Sequence, residues 1–389
     1  MLIYILILLL IAFLSLFYDS KGRMGTAGYK KGWLLSFVIL VLLAGLRNEI
    51  GIDTYTYSLK YEDMPDLFSF FKSKNFIEDY SIQILWSLFL SFFKTIGADW
   101  VVVQFVIALV FNGLLFRFLN KVSTRKFTTL FCIIILSWWN LSFEVLRESI
   151  CIVLLLNGLL ELENNKIKRF FLWCLPAFFV HWFSFFPILM VYLACKTSYK
   201  FLLFASLFLG ILIFILGKAY VTDQLLLLSV YFSNDMSTRI SDYADIVRDA
   251  SVIGILFEFV TIALAPAIIS ICFNKKQIYL LLSKVLLLYI PFVALRFAIP
   301  IFYRLLNYLE IPFAVAVVLF LGCSEYKNKS IKLLVFGLLL FCLIKSANDF
   351  YKPSPIETRN INYDCRYIPY TSVFEPTDET RDDLYRIYK

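Results

Sequence analysis

Histidine is nearly missing from this 389-residue chain, with His181 its one example, so a histidine-built metal centre cannot be assembled. The eight cysteines, at 132, 151, 174, 195, 272, 323, 342 and 365, contain no Cys-x-x-Cys spacing. A disulfide framework or a zinc site is therefore not expected, and seven of the eight fall in or at the ends of apolar runs, where cysteine behaves as a small buried hydrophobe. Neither a metal nor a cofactor is expected. Charge is also scarce, 17% of residues against about 25% in soluble domains. No basic stretch precedes the apolar run 2–18 and no small-residue cleavage site follows it, so it is expected to stay as a helix.

What the chain has instead is apolar length. It is 60% hydrophobic with a mean hydropathy of +0.78, and 41 Phe and 23 Tyr lie in long uninterrupted runs rather than short alternating ones. That pattern excludes a β-barrel and predicts an all-α integral membrane protein, a polytopic bundle of about 12 spans. The expected spans are 2–18, 33–46, 100–119, 127–143, 149–163, 170–182, 183–195, 201–217, 252–273, 277–295, 305–322 and 331–346. They define a membrane domain over 1–346, with outer loops 47–79 and 218–251, followed by a polar, Tyr-rich tail over 347–389. Pro176 and Pro187 are expected to break 170–195 into a hairpin.

The net charge of +8 sits mostly in short loops, so it is a topology signal and nucleic acid is not an expected partner. Placing the basic clusters at 21–31, 117–126, 166–169, 196–200, 275–276 and 327–332 inside the cell leaves 47–79 and 218–251 outside. The run 80–96 would invert every later loop if it crossed. Its Gln83, Ser81, Ser87, Ser91 and Lys94 also make it less lipid-like, and it is expected to be a re-entrant or interfacial helix.

Four arginines are not explained by this orientation: Arg47, Arg147, Arg296 and Arg304 all fall at outer ends of spans. Guanidinium stays charged and offers a planar fork of donors, which suits a phosphate or pyrophosphate group. The competing reading pairs them locally, Arg47 with Glu49 or Asp53, Arg147 with Glu144 or Glu148, and Arg304 with Glu310. The stretch around Arg47 adds Gly51 for a tight turn, the carboxylates Glu49 and Asp53 to bind hydroxyls or act as a base, and Tyr55 and Tyr57 to stack on sugars. His181, in an aromatic segment at the outer end of its span, is either packed and hydrogen-bonded or the base.

The segments GLRNEIGIDTYTY (45–57), the Asn140 to Glu148 stretch, FFVHWFS (178–184), FYRLLNYLEIP (302–312) and IPYTSVF (368–374) occur in an order and spacing that resembles the EpsG-type family of polysaccharide repeat-unit polymerases, related in role to Wzy O-antigen polymerases. The resemblance matches Arg47, Gly51, Asp53 and Tyr57, then Arg147, then His181 with Ser184, then Arg304; it departs at Glu148, where the family commonly has Gln. It implies a multi-pass enzyme of the bacterial plasma membrane that joins undecaprenyl-pyrophosphate-linked oligosaccharides at the outer face. The implied partners are those lipids, the membrane itself, and a chain-length regulator and a flippase. A lipid-sugar transporter, a multispan glycosyltransferase and an acyltransferase using His181 are the alternatives.

Overall fold

Runs of Leu, Ile, Val and Phe without internal polar breaks have one way to satisfy their backbone in an apolar medium, the intrasegment hydrogen bonds of the α-helix. The computed structural model describes residues 2–72, 83–229, 252–277, 279–298, 302–324, 328–351, 355–356, 361–362, 367 and 370–375. Its helices are α1 (Leu2–Asp19), α2 (Ala27–Gly45), α3 (Ile52–Glu62), α4 (Leu67–Lys72), α5 (Ile84–Thr95), α6 (Trp100–Val122), α7 (Lys126–Phe143) and α8 (Leu146–Glu163). Beyond these come α9 (Ile167–Val180), α10 (Phe185–Lys196), α11 (Tyr199–Ser229), α12 (Val252–Lys276), α13 (Leu280–Ala298), α14 (Tyr303–Gly322) and α15 (Lys329–Tyr351). A two-residue strand pair, β1 (Pro355–Ile356) and β2 (Ile361–Asn362), follows.

Among the described residues seven helices, α1, α2, α6, α7, α11, α13 and α14, are long and apolar enough to cross a membrane. The chain is an all-α polytopic membrane protein. The other expected spans are helical as well, over α8, α9, α10, α12 and α15. Helix α1 shows how such a segment is used: Tyr4, Ile7, Ile11 and Leu14 are buried at helical spacing, while Leu2, Leu6, Leu9 and Phe13 point away from the protein. In the expected outer loop 218–251, α11 continues as helix through Ser229; residues 230–251 lie outside the described set. Between α9 and α10 the backbone breaks at His181 (φ −153°, ψ 105°), not at the prolines, since Pro176 sits inside α9 and Pro187 in the first turn of α10.

The chain divides into two units, Met1–Phe186 with Lys345–Lys389, and Pro187–Ile344. In the first, α2 and α6 pack antiparallel, Gly45 against Phe105 at one end and Trp33 against Phe116 at the other. Helices α8 and α9 do likewise, Cys151 facing Ala177 and Gly158 facing Phe170 and Cys174. This arrangement sorts the charges. The turns carrying Lys21, Arg23, Lys30, Lys31, Lys121, Arg125, Lys126, Lys166, Lys168 and Arg169 lie at one end of the bundle, where Asp19 Oδ2 ties the end of α1 to the start of α7 by accepting from the Thr128 N–H (2.8 Å) and hydroxyl (2.9 Å). The described parts of 46–99, with 143–147 and 181–184, lie at the other.

Residues 46–99 therefore leave and return at the same end. Helix α5 accordingly begins and ends beside α3: Trp86 lies 5.8 Å from Tyr57, and Lys94 Nζ donates to Glu62 O at 2.9 Å. Its 12 residues extend about 18 Å, well short of a hydrocarbon core about 30 Å thick. Its described part is thus too short to span that core by itself.

In the second unit α14 is the core, with Leu305, Leu309, Ala316 and Val317 fully buried, and α12 and α13 pack on it. Ser270 Oγ donates to Ser283 O (2.6 Å) and stands 3.0 Å from Tyr199 Oη, tying α12, α13 and α11 together.

Candidate functional site

Helix α2 stops where Gln104, buried in the first turn of α6, donates its amide to Gly45 O and Arg47 O, both at 2.9 Å. Arg47 then turns inward. It is 2% exposed; its Nε donates to Ile50 O (3.3 Å), Nη1 to Ala44 O, and Nη2 to Thr54 Oγ1 (2.9 Å), with the guanidinium 5.3 Å from the Phe143 ring centroid. Thr54 passes the chain of bonds on to Phe143 O at 2.5 Å. In this geometry the Arg47 fork is engaged by the protein's own loop, and the charge spreads over carbonyl dipoles and a ring face.

The same loop docks on the α7–α8 connection through Gly51. Its φ of +95° is open to glycine, and an added Cβ would overlap Phe143 O. Glu144 is 2% exposed, and its Oε2 accepts the backbone N–H of Asp53 at 3.0 Å, so a buried carboxylate caps the positive end of α3. Glu144 thus performs the work of an N-cap from a distant segment. The helix it starts carries Asp53 and Tyr57 four residues apart, on one face and half-buried.

Arg147, half-buried in the first turn of α8, reaches that face. Its Nε donates to Tyr57 Oη (3.2 Å), its Nη1 donates to Gln83 Oε1, and its guanidinium carbon lies 5.1 Å from the Tyr57 centroid. Among the described residues Arg147 is bonded to no carboxylate. The i, i+3 pairing with Glu144 does not form, because the helix breaks at Glu144 (φ −116°, ψ −73°) and sends the two side chains to opposite ends of α3's first turns. A cation held by two neutral groups has donors to spare: two of the five guanidinium N–H groups are used.

His181 lies at the same end. Its N–H donates to Ala177 O (2.9 Å), and Ala177 O also receives Cys151 Sγ (3.3 Å), one turn along α8 from Arg147. His181 is 6% exposed, set in the break that precedes Trp182–Ser184. Glu49 adopts φ +48° and is half-buried, as is Tyr55, whose N–H returns to Gly51 O at 3.0 Å.

The tail closes over this loop from behind. Arg47 and Ser372 form an antiparallel bridge, with Asn48 N donating to Thr371 O (2.9 Å), Val373 N to Leu46 O (3.0 Å) and Thr371 Oγ1 to Asn48 O (2.8 Å). Tyr370 donates to Leu43 O at 3.0 Å; burial pushes its phenol up to about 12, so it remains a donor at any physiological pH. Three of the five sequence segments and part of the fifth, the tail, therefore assemble in one unit. The segment with Arg304, and Arg296 before it, belongs to the second unit, at the ends of α14 and α13 and half-buried.

Several residues at the site carried little signal in sequence. Gln83 and Trp86 read only as features of a weakly polar run. Gln104 acts through two hydrogen bonds to backbone, its one cue being a polar residue inside an apolar helix, and Thr54 through one bond to the Arg47 side chain and one to backbone.

What emerges is a polytopic membrane protein with buried polar groups and a half-buried cation gathered at the end of the bundle opposite its basic turns. The chain matches the EpsG family over residues 31–372 and belongs to that family. Membership carries a role in polysaccharide biosynthesis of the polymerase type. Neither the curated proteins nor the solved structures contain a match.

Proposed function

We propose that this protein is the polymerase that joins undecaprenyl-pyrophosphate-linked oligosaccharide repeat units at the outer face of the bacterial plasma membrane. A sugar hydroxyl of one lipid-linked unit attacks the anomeric carbon of the other. The bond from that carbon to the pyrophosphate oxygen breaks, and the lipid pyrophosphate departs with the electron pair. Pyrophosphate is a competent leaving group, so the protein's tasks are to align two substrates, accept the hydroxyl proton and neutralise the departing charge.

The observation that carries this reading is Arg147, a half-buried guanidinium whose bonded partners are the neutral Tyr57 and Gln83. Such a group takes an anion without first breaking an ion pair. Asp53 orients or deprotonates the acceptor hydroxyl, with Glu49 and His181 as the other candidate bases, and Tyr55 and Tyr57 lie against sugar faces. Arg296 and Arg304, in the second unit, are candidate phosphate-binding residues of that unit. Arg47 supports the site from beneath, given its inward bonds. Clustering of the basic turns at the far end supports an outward-facing site, because such turns remain in the cytoplasm. A flippase supplying the lipid-linked units and a chain-length regulator are the protein partners of this scheme.

The test is reconstitution of purified protein with lipid-linked repeat units. Wild type should yield polymer, while Arg147→Lys, at equal protein level, should lose rate by a factor on the order of 10²–10³, since a point charge cannot replace the fork. Movement of the lipid across the bilayer without product would make the protein a transporter; full-length polymer from Arg147→Lys would remove the arginine from the chemistry.

A further inference from the structure

Gln83 precedes the first residue of α5, and its side chain is half-buried. The bond from Arg147 Nη1 fixes which way its amide faces, because arginine can only donate. Gln83 must present Oε1 to the guanidinium, and its NH2, with two donors, is turned away from Arg147. Among the described residues that NH2 bonds to nothing. Three residues on stands Trp86, 7% exposed and 5.8 Å from the Tyr57 ring, and Tyr57 accepts from the same guanidinium that holds the Gln83 amide.

These groups divide a ligand into parts. The spare N–H groups of Arg147 suit charged oxygens, whereas a neutral amide donor and the Tyr57 ring, joined through one guanidinium, suit the uncharged oxygens and C–H faces of a pyranose. We infer that Gln83 is a specificity-determining residue, its NH2 donating to a hydroxyl or acyl oxygen of the sugar attached to the phosphate that Arg147 holds. The inference rests on Arg147 being the anion subsite. Arg147 then has two functions, binding the phosphate and setting the orientation of the group that reads the sugar.

Equilibrium binding tests it without requiring turnover. The ligands are a lipid-linked repeat unit and bare polyprenyl pyrophosphate, each measured on the detergent-purified full chain. Gln83→Met keeps the side chain's length and removes the amide. Binding of the repeat unit should weaken about tenfold, with binding of bare polyprenyl pyrophosphate unchanged within about twofold. Equal weakening of both ligands, or of neither, overturns the inference. Gln83→Glu provides the second arm: its carboxylate should occupy Arg147 and weaken both ligands at least tenfold, and unchanged binding of bare pyrophosphate there would refute the Gln83–Arg147 geometry. If wild type binds both ligands yet forms no polymer, the polymerase reading fails while the two Gln83 arms still decide the inference.

Discussion

The two ends of the first unit treat their cations in opposite ways. At the basic end lysines and arginines stay in water; Lys30, Lys31 and Lys121 are exposed and Arg169 makes a long 3.8 Å contact to Glu161. At the site end Arg47, Glu144 and Glu148 are each 2% exposed; Arg47 is held by Ala44 O, Ile50 O and Thr54 of its own loop, and Glu144 accepts the Asp53 N–H of a distant segment. Exposed charges of the first kind contribute little to stability and act through membrane topology. Buried ones are costly to desolvate and persist only when fully bonded, so they lock a particular loop geometry. The contrast teaches that the fold's ionic investment is concentrated where the chain must be held still.

The largest expected effect separates chemistry from architecture within the site end. In the reconstituted reaction Asp53→Asn should lower turnover by a factor on the order of 10²–10⁴ if the carboxylate takes the proton, and only raise the acceptor concentration needed if it orients the hydroxyl. Near-normal rates there, with collapse in His181→Ala, transfer the base role to the histidine. Stability should follow the same division. Arg47→Ala leaves Ala44 O, Ile50 O and Thr54 without their donor and should cost about 3 kcal/mol, seen as a lower melting temperature and reduced protein in membranes. Lys121→Ala at the other end should leave both unchanged; equal losses would abolish the comparison.

A smaller effect, about 2 kcal/mol, is expected for Gly51→Ala, which combines a disfavoured positive φ with overlap on Phe143 O. Differential melting would show it, and an unaltered midpoint would mean that the loop moves away from α7 freely. Smallest is Thr371→Val, which removes one bond to Asn48 O and should cost about 1 kcal/mol. Its sharper readout is amide exchange across 46–54, which should speed up in Thr371→Val and not in Thr371→Ser.

Much of this architecture was legible because membrane helices are specified by length and composition alone. The described parts of the expected spans are mostly helical, and seven of the helices are long and apolar enough to cross a membrane. The site was legible in part. Arginines at helix ends stood out, since a charge near hydrocarbon is costly. Their separate fates did not, because Arg47 and Arg147 look alike in a string of letters; one is wrapped by carbonyls and the other rests on Tyr57 and Gln83. Local spacing also pointed to a Glu144–Arg147 pair, and a backbone break at Glu144 redirected both side chains.

By itself the sequence determined that the chain is a helical membrane protein and which ends of its helices hold the unusual charges, because hydropathy and the cost of burying charge act residue by residue. Tertiary structure alone decided that Glu144 caps α3, that the tail bridges Arg47 at Ser372, and that Gln83 turns its amide away from Arg147. Those outcomes depend on hydrogen bonds between residues 60 to more than 300 positions apart, as in Arg147–Gln83 and Asn48–Thr371, and no periodicity along the chain encodes which distant donor meets which acceptor.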